Sequence, residues 1–191
     1  MSADSLATNP NSTADSDQPR ENLFTASDVE SILVERGWLD SSAEVASQTQ
    51  EWIALAAVYL GPQAADRTEL TDLLSLLFYY DAAQILAQSA SHAVLARTGA
   101  RDVIRELARE IIGGAAVDSD HFKAIIESLR PKVSSRSRHL FHPIRLALAG
   151  RGGEGELDRV ILLLDSAAVA PGLAPVKNTS QRMLEFCAAL H

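Results

Sequence analysis

From Val29 onward the apolar residues of this chain recur at intervals of three and four, and the polar residues between them gather into short capping clusters. Such spacing lays an apolar stripe along one face of an α-helix. Val29, Ile32 and Leu33 form one stripe, with Ser27 or Asp28 ahead of it as a cap and Gly37 behind it as a stop. Ser41 and Glu44 have capping-box spacing, which predicts a second helix through Val45, Trp52, Leu55, Ala56 and Tyr59 to Gly61-Pro62. Asp66 and Glu69 repeat the spacing before Leu70, Leu73, Leu74, Leu77 and Phe78. Further helices are expected over 81–97, over 100–112 up to Gly113-Gly114, and over 119–129 behind Asp118 or Ser119. Proline lacks an N–H and suits a first helical turn, so His142-Pro143 should open a short helix that stops at Gly150. A helix over 155–165 would bury Leu157, Val160, Ile161 and Leu164. The Pro- and Gly-bearing stretch 167–178 reads as a linker, after which Ser180 would cap a last helix through Met183, Leu184, Phe186 and Cys187.

No pair of alternating runs flanks a hairpin turn, and no fixed-period repeat is present. Much of the 47% hydrophobic content is Ala and Leu, while β-branched and aromatic residues are thin. The expected fold is therefore all-α, a helical bundle, either one domain or two lobes sharing a core with a boundary near residue 114. Residues 1–26, rich in Ser, Asp, Asn, Thr and Pro, are expected to form a disordered acidic tail. Residues 27–114 would form an N-terminal helical subdomain, and 115–191 a C-terminal one.

Charge sharpens this picture. The formal net charge is −8, which taken alone speaks against nucleic acid. Yet no Asp or Glu lies between Ser128 and Gly153, where Arg130, Lys132, Arg136, Arg138, Arg145 and Arg151 all fall. That leaves 11 of the 17 basic residues against all 25 acidic ones elsewhere, a balance of −14. Such asymmetry marks either an anion-binding face or a turn whose arginines pair with acids from other segments. The one cysteine, Cys187, allows no intrachain disulfide and fits a reducing compartment. The acidic opening lacks the apolar core of a secretory signal, and no stretch approaches the ~18 apolar residues of a membrane span. A cytoplasmic protein without a membrane partner is expected.

The segment HFKAIIESLRPKVSSRSRHLFHPIRLALAGRGGEGELDRVILLL, from His121 to Leu164, carries a resemblance. A helix leads into a basic turn, then Phe141-His142-Pro143-Ile144-Arg145, then Ala147-Leu148-Ala149-Gly150, then an acidic helix holding Glu156, Leu157 and Leu162 to Leu164. This resembles the C-terminal, anticodon-binding region of bacterial glutamyl-tRNA synthetases. VLARTGARDVIRELAREI is similar to that family's linking helices, and LLSLLFYYDAAQIL to its Leu-rich segment ending in paired aromatics. Counting these weaker parts, the likeness runs from about residue 28 to 165. The chain departs from the pattern where Ala149 replaces a threonine, where Ser134 to Ser137 replace a Gly- and Lys-bearing turn, and where Asp165 replaces a closing glycine. No His-Ile-Gly-His-like element, Lys-Met-Ser-Lys-Ser-like loop or strand-rich nucleotide-binding region accompanies it. The resemblance implies a free-standing, non-catalytic tRNA-binding module serving translation. Its candidate contacts are Arg130, Lys132, Arg136, Arg138, His139, His142, Arg145 and Arg151. A helical protein-interaction scaffold of the same descent that has lost RNA is the alternative.

Other chemistries find less support in the residues. GRGGEG, from Gly150 to Gly155, follows an expected helix rather than a strand, which suits a helix–helix turn better than a phosphate loop. His139 and His142 share three-residue spacing, but zinc needs further converging ligands, and His92, His121 and His191 lie elsewhere. No metal or cofactor is expected. Cys187 sits on an apolar helix as a small hydrophobe. Phe78-Tyr79-Tyr80 could stack on bases, although the end of a Leu-rich helix more often holds core and cap aromatics.

Overall fold

The computed structural model describes residues 22–40, 45–133 and 137–190, with the side chains of Ser137 and Arg138 left out. Over these the chain is all-α, a helical bundle whose one piece of extended pairing is an isolated antiparallel bridge between Leu39 and Leu173. The elements are α1 (Ala26–Glu35), α2 (Ser47–Leu60), a 3-10 turn (Gly61–Gln63), α3 (Arg67–Phe78), α4 (Ala82–Leu86), α5 (Ser89–Leu95) and α6 (Ala100–Ile111). They continue with α7 (Ser119–Lys132), α8 (Ser137–Ala149), α9 (Glu156–Ile161), α10 (Leu164–Val169) and α11 (Thr179–Ala189).

The apolar stripes lie where their spacing placed them except at Leu184, which is exposed on the outer face of α11, and the element ends move. Thr25, one residue before α1, forms the capping box with Asp28, displacing Ser27 and Asp28 as the expected caps. Ser41 to Glu44 lie outside the described residues, and α2 starts at Ser47 with no side-chain cap. Asp66 does cap α3, its carboxylate accepting from the Glu69 N–H at 2.9 Å. The expected helix over 81–97 is two short ones, as the Ser91 hydroxyl bonds the Ile85 carbonyl across the break at 2.6 Å. The expected helix over 155–165 likewise divides at Leu162-Leu163 into α9 and α10. Asn178 rather than Ser180 caps α11, in a capping box with Gln181.

Pro143 is the largest correction. Helix α8 begins six residues before it, so the proline stands inside the helix rather than at its start. Local penalties of about 3 kcal/mol for an internal proline are overridden only by packing. Leu140, Ile144, Ala147 and Leu148 supply it, a buried face that runs straight through the proline. The helix then stops at Gly150, whose φ of 84° belongs to a residue without a Cβ; a Cβ there would stand 3.1 Å from the Ile85 side chain.

Helix α6 packs on α7, α8 and α11; α1 packs on α2; α9 bridges α2, α3 and α8. Buried side chains from Val29 to Phe186 form one continuous hydrophobic cluster that runs across residue 114. The Trp52 indole N–H reaches the Leu163 carbonyl at 3.2 Å, and Trp38 stacks on Phe78 with centroids 4.6 Å apart. The stretch read as a linker is stitched down: Ala174 N–H donates to Trp38 O at 2.7 Å, Asp40 N–H to Gly172 O at 2.9 Å, and Thr49 Oγ1 to Pro171 O at 2.6 Å. Residues 22–25, assigned by composition to the tail, are also engaged, with Asn22 donating to Ala57 O at 3.1 Å. Residues 1–21 lie outside the described residues.

Candidate functional site

The basic window occupies the end of α7, the α7–α8 connection, α8 and the loop into α9. Arg130 is exposed on the last turn of α7. Lys132, two residues on, donates to Glu110 of α6 at 2.7 Å, and Ser128 donates to the same carboxylate oxygen at 3.1 Å. These two bonds, Lys132 first, hold the Glu110 carboxyl below its ordinary pKa. Arg136 and the side chain of Arg138 lie outside the described residues. His139 is exposed on the first turns of α8.

His142 is half-buried, its Nδ1 2.8 Å from Nη1 of Arg97 in the α5–α6 connection. A guanidinium can only donate, so Nδ1 accepts and the imidazole proton sits on Nε2. Arg145 is buried, with its side chain 8% exposed. Its Nε and Nη2 grip the two Asp158 oxygens at 2.7 and 2.8 Å, and Nη1 donates to the Gly153 carbonyl at 2.7 Å. The Phe141 ring covers the guanidinium at 5.1 Å. Arg145 thus clamps the 150–155 loop and α9 against α8. Arg151 donates to Asp72 of α3 at 2.7 Å. The GRGGEG loop joins α8 to α9, helix to helix.

Three of the window's cations, Lys132, Arg145 and Arg151, are therefore matched by carboxylates from outside it: Glu110, Asp158 and Asp72. Arg130, on the last turn of α7, and His139, on the first turns of α8, are both exposed at the α7 and α8 ends that face the connection between the two helices in sequence. The structure brings His142 to Arg97 instead, a residue the charge pattern did not single out.

Arg182 is the charged residue missed altogether. Its side chain is fully buried in α11. Nη2 donates to the Leu76 and Leu77 carbonyls at 2.9 and 2.6 Å, Nη1 to Leu148 O at 2.7 Å, and Nε to Lys177 O at 3.0 Å. Leu76, Leu77 and Leu148 end α3 and α8, where carbonyls lack helical partners and the helix dipole is negative. One guanidinium caps two helices. Burial lowers its pKa to about 10. The Tyr80 ring lies 4.6 Å beneath it, and the Tyr80 hydroxyl donates to Ala147 O at 2.5 Å. Burial raises that phenol above its ordinary value. A signal was present: Thr179, Arg182, Met183 and Phe186 fall at i, i+3, i+4 and i+7, the spacing of an inward stripe.

The aromatic trio separates. Phe78 packs on Trp38, Tyr80 is buried, and Tyr79 is 68% exposed, its hydroxyl accepting from the Trp38 indole N–H at 3.3 Å. Cys187 is half-buried, and burial raises its thiol. Among the described residues, no group of three or more His, Cys, Asp or Glu could hold a metal ion, and no helix is long and apolar enough to cross a membrane.

Comparison with known proteins finds similarity to glutamate–tRNA ligases over part of the chain. Glutamate–tRNA ligase 2 of Syntrophus aciditrophicus is 33% identical over 86 residues, which cover 45% of this chain and 18% of that protein. The glutamate–tRNA ligase of Bacillus licheniformis is 27% identical over 128 residues, covering 67% of this chain and 26% of that protein. No family model matches the chain. No solved structure matches it.

Proposed function

We propose that the chain is a non-catalytic tRNA-binding module related to the glutamate–tRNA ligases, working in the cytoplasm and engaging RNA through the α7–α8 corner. The observation that carries this reading is the partial likeness, over 86 and 128 residues, to two such ligases. The corner adds chemistry to it. Arg130 and His139 are exposed there, and Arg136 and Arg138 lie between them in sequence. Cations near a helix C-terminus and in the sequence that follows it suit phosphates of a single-stranded loop, which RNA-binding proteins contact through backbone charge and base edges. Arg145, Lys132 and Arg151 are proposed to hold the scaffold rather than the RNA.

The test is binding of unfractionated tRNA by fluorescence anisotropy at 50 to 200 mM salt, conditions over which phosphate contacts weaken measurably. Wild-type protein should bind with a steep salt slope. Changing Arg130, Arg136 and Arg138 together to Ala should weaken binding and flatten the slope by about 2, at ~0.7 per single-strand contact. Absence of tRNA binding at 50 mM salt overturns the reading. The second reading is a protein-interaction scaffold, favoured by the neutralisation of Lys132, Arg145 and Arg151 by acids of the same chain.

A further inference from the structure

A cation already matched by a carboxylate gains little from a phosphate, because one ion pair is exchanged for another. The cations that matter for an RNA surface are those without such a match. In the α5–α6 connection Arg97 has His142 as its polar contact among the described residues, and Arg101, in the first turn of α6, makes no hydrogen bond or ion pair with them. The two lie on either side of one turn, closed by the Ala100 N–H on the Arg97 carbonyl at 3.1 Å. Arg97 is half-buried and Arg101 exposed.

An open groove of about 500 Å³ lies beside Arg101, which lines it together with Leu86, His92, Leu95, Ala96 and Leu190; Arg97 is next in sequence to its Ala96 wall. Among the described residues no carboxylate side chain lines it. Cationic groups beside a groove that holds an imidazole suit a nucleotide whose phosphate is held by charge and whose unstacked base lies against the His92 ring or the Arg101 guanidinium, with aliphatic side chains around it.

The geometry points to Arg97 and Arg101 as a phosphate-binding pair for single-stranded RNA, with the adjoining groove receiving the base of the same nucleotide. This rests on the tRNA-binding reading and extends its surface from the α7–α8 corner to the α5–α6 connection. His142 is a positioning residue: Nδ1 holds Nη1 of Arg97, so the guanidinium meets the phosphate already oriented.

The experiment measures anisotropy of labelled, unfractionated tRNA across 50 to 200 mM salt for a panel of full-length variants. Arg97→Ala with Arg101→Ala should bind about tenfold more weakly, with a salt slope flatter by about 1.4. Arg67→Ala, which removes a cation paired with Glu35, should bind as wild type. His142→Ala should weaken binding, and His142→Gln, whose amide oxygen can accept from Arg97, should restore it; melting curves should stay superimposable throughout. If the double variant binds as wild type while the Arg130, Arg136 and Arg138 triple variant loses affinity, this inference falls and the corner stands. If wild-type protein binds no tRNA, both fall together.

Discussion

Arg182 shows how much one side chain can carry when four of its five N–H donors are engaged. Four carbonyls from three segments converge on it, each within 3.0 Å, and two of the segments are helix ends. Replacing it with Met keeps the volume and leaves those carbonyls buried without donors, at ~1–3 kcal/mol each where water cannot enter. Arg182→Met should therefore cost at least about 3 kcal/mol in a urea melt. Arg182→Lys should recover only part of the loss, since a compact ammonium cannot span the carbonyls that the planar fork reaches. A variant within 1 kcal/mol of wild type would show that water had replaced the guanidinium. The inward spacing of Arg182 was legible in the sequence, but its partners lie up to 106 residues away. The same distance hid the fate of the basic window: the residues flanking Arg151 say nothing of Asp72, 79 positions earlier.

At the scale of elements, local signals held where they were self-contained. Asp66 and Glu69 belong to one turn, and the cap they announce is present. Gly37, Gly113 and Gly150 all have positive φ at the ends the spacing assigned to them. Pro143 misled because its effect on a helix is local while the burial that overrides it is not. Since α8 continues through it, Pro143→Ala would restore a missing N–H and remove the clash with the preceding turn, worth up to about 3 kcal/mol. Against this stands about 1.6 kcal/mol for two buried ring methylenes lost, at ~0.8 each. The variant should melt at a higher temperature, and a lower melt would mean that the ring fills its site better than the helix tolerates it. Ser91 illustrates a different limit, as one hydroxyl–carbonyl bond turns a single expected helix into α4 and α5.

Across the whole molecule, the last helix binds the early ones. Met183 and Phe186 are fully buried in the shared core, Glu185 accepts from the Ala82 N–H at 3.1 Å, and Asp165 accepts from Val117 N–H and Thr179 N–H at 2.6 and 2.7 Å. A chain cut after Val176 would expose that core face along with the ends of α3 and α8. Calorimetry should show one sharp transition for the full chain and none for the shortened one, which should keep much of its helical circular dichroism. A cooperative melt of the shortened chain would mean that the earlier helices form a self-sufficient core. The helical class and the inward stripes of α1, α3 and α9 could be read from periodicity. The exposed surface could not, because which cations remain unmatched is decided by contacts between distant segments.

Arg182 also sets an order in time. A ribosome makes α3 more than a hundred residues before it adds the arginine that closes it. Until then the carbonyls of Leu76 and Leu77 must stay with water, and α8 emerges later to wait beside them for the same residue. The two helix ends can thus be closed by Arg182 only after synthesis has passed residue 182, when α11 docks against them.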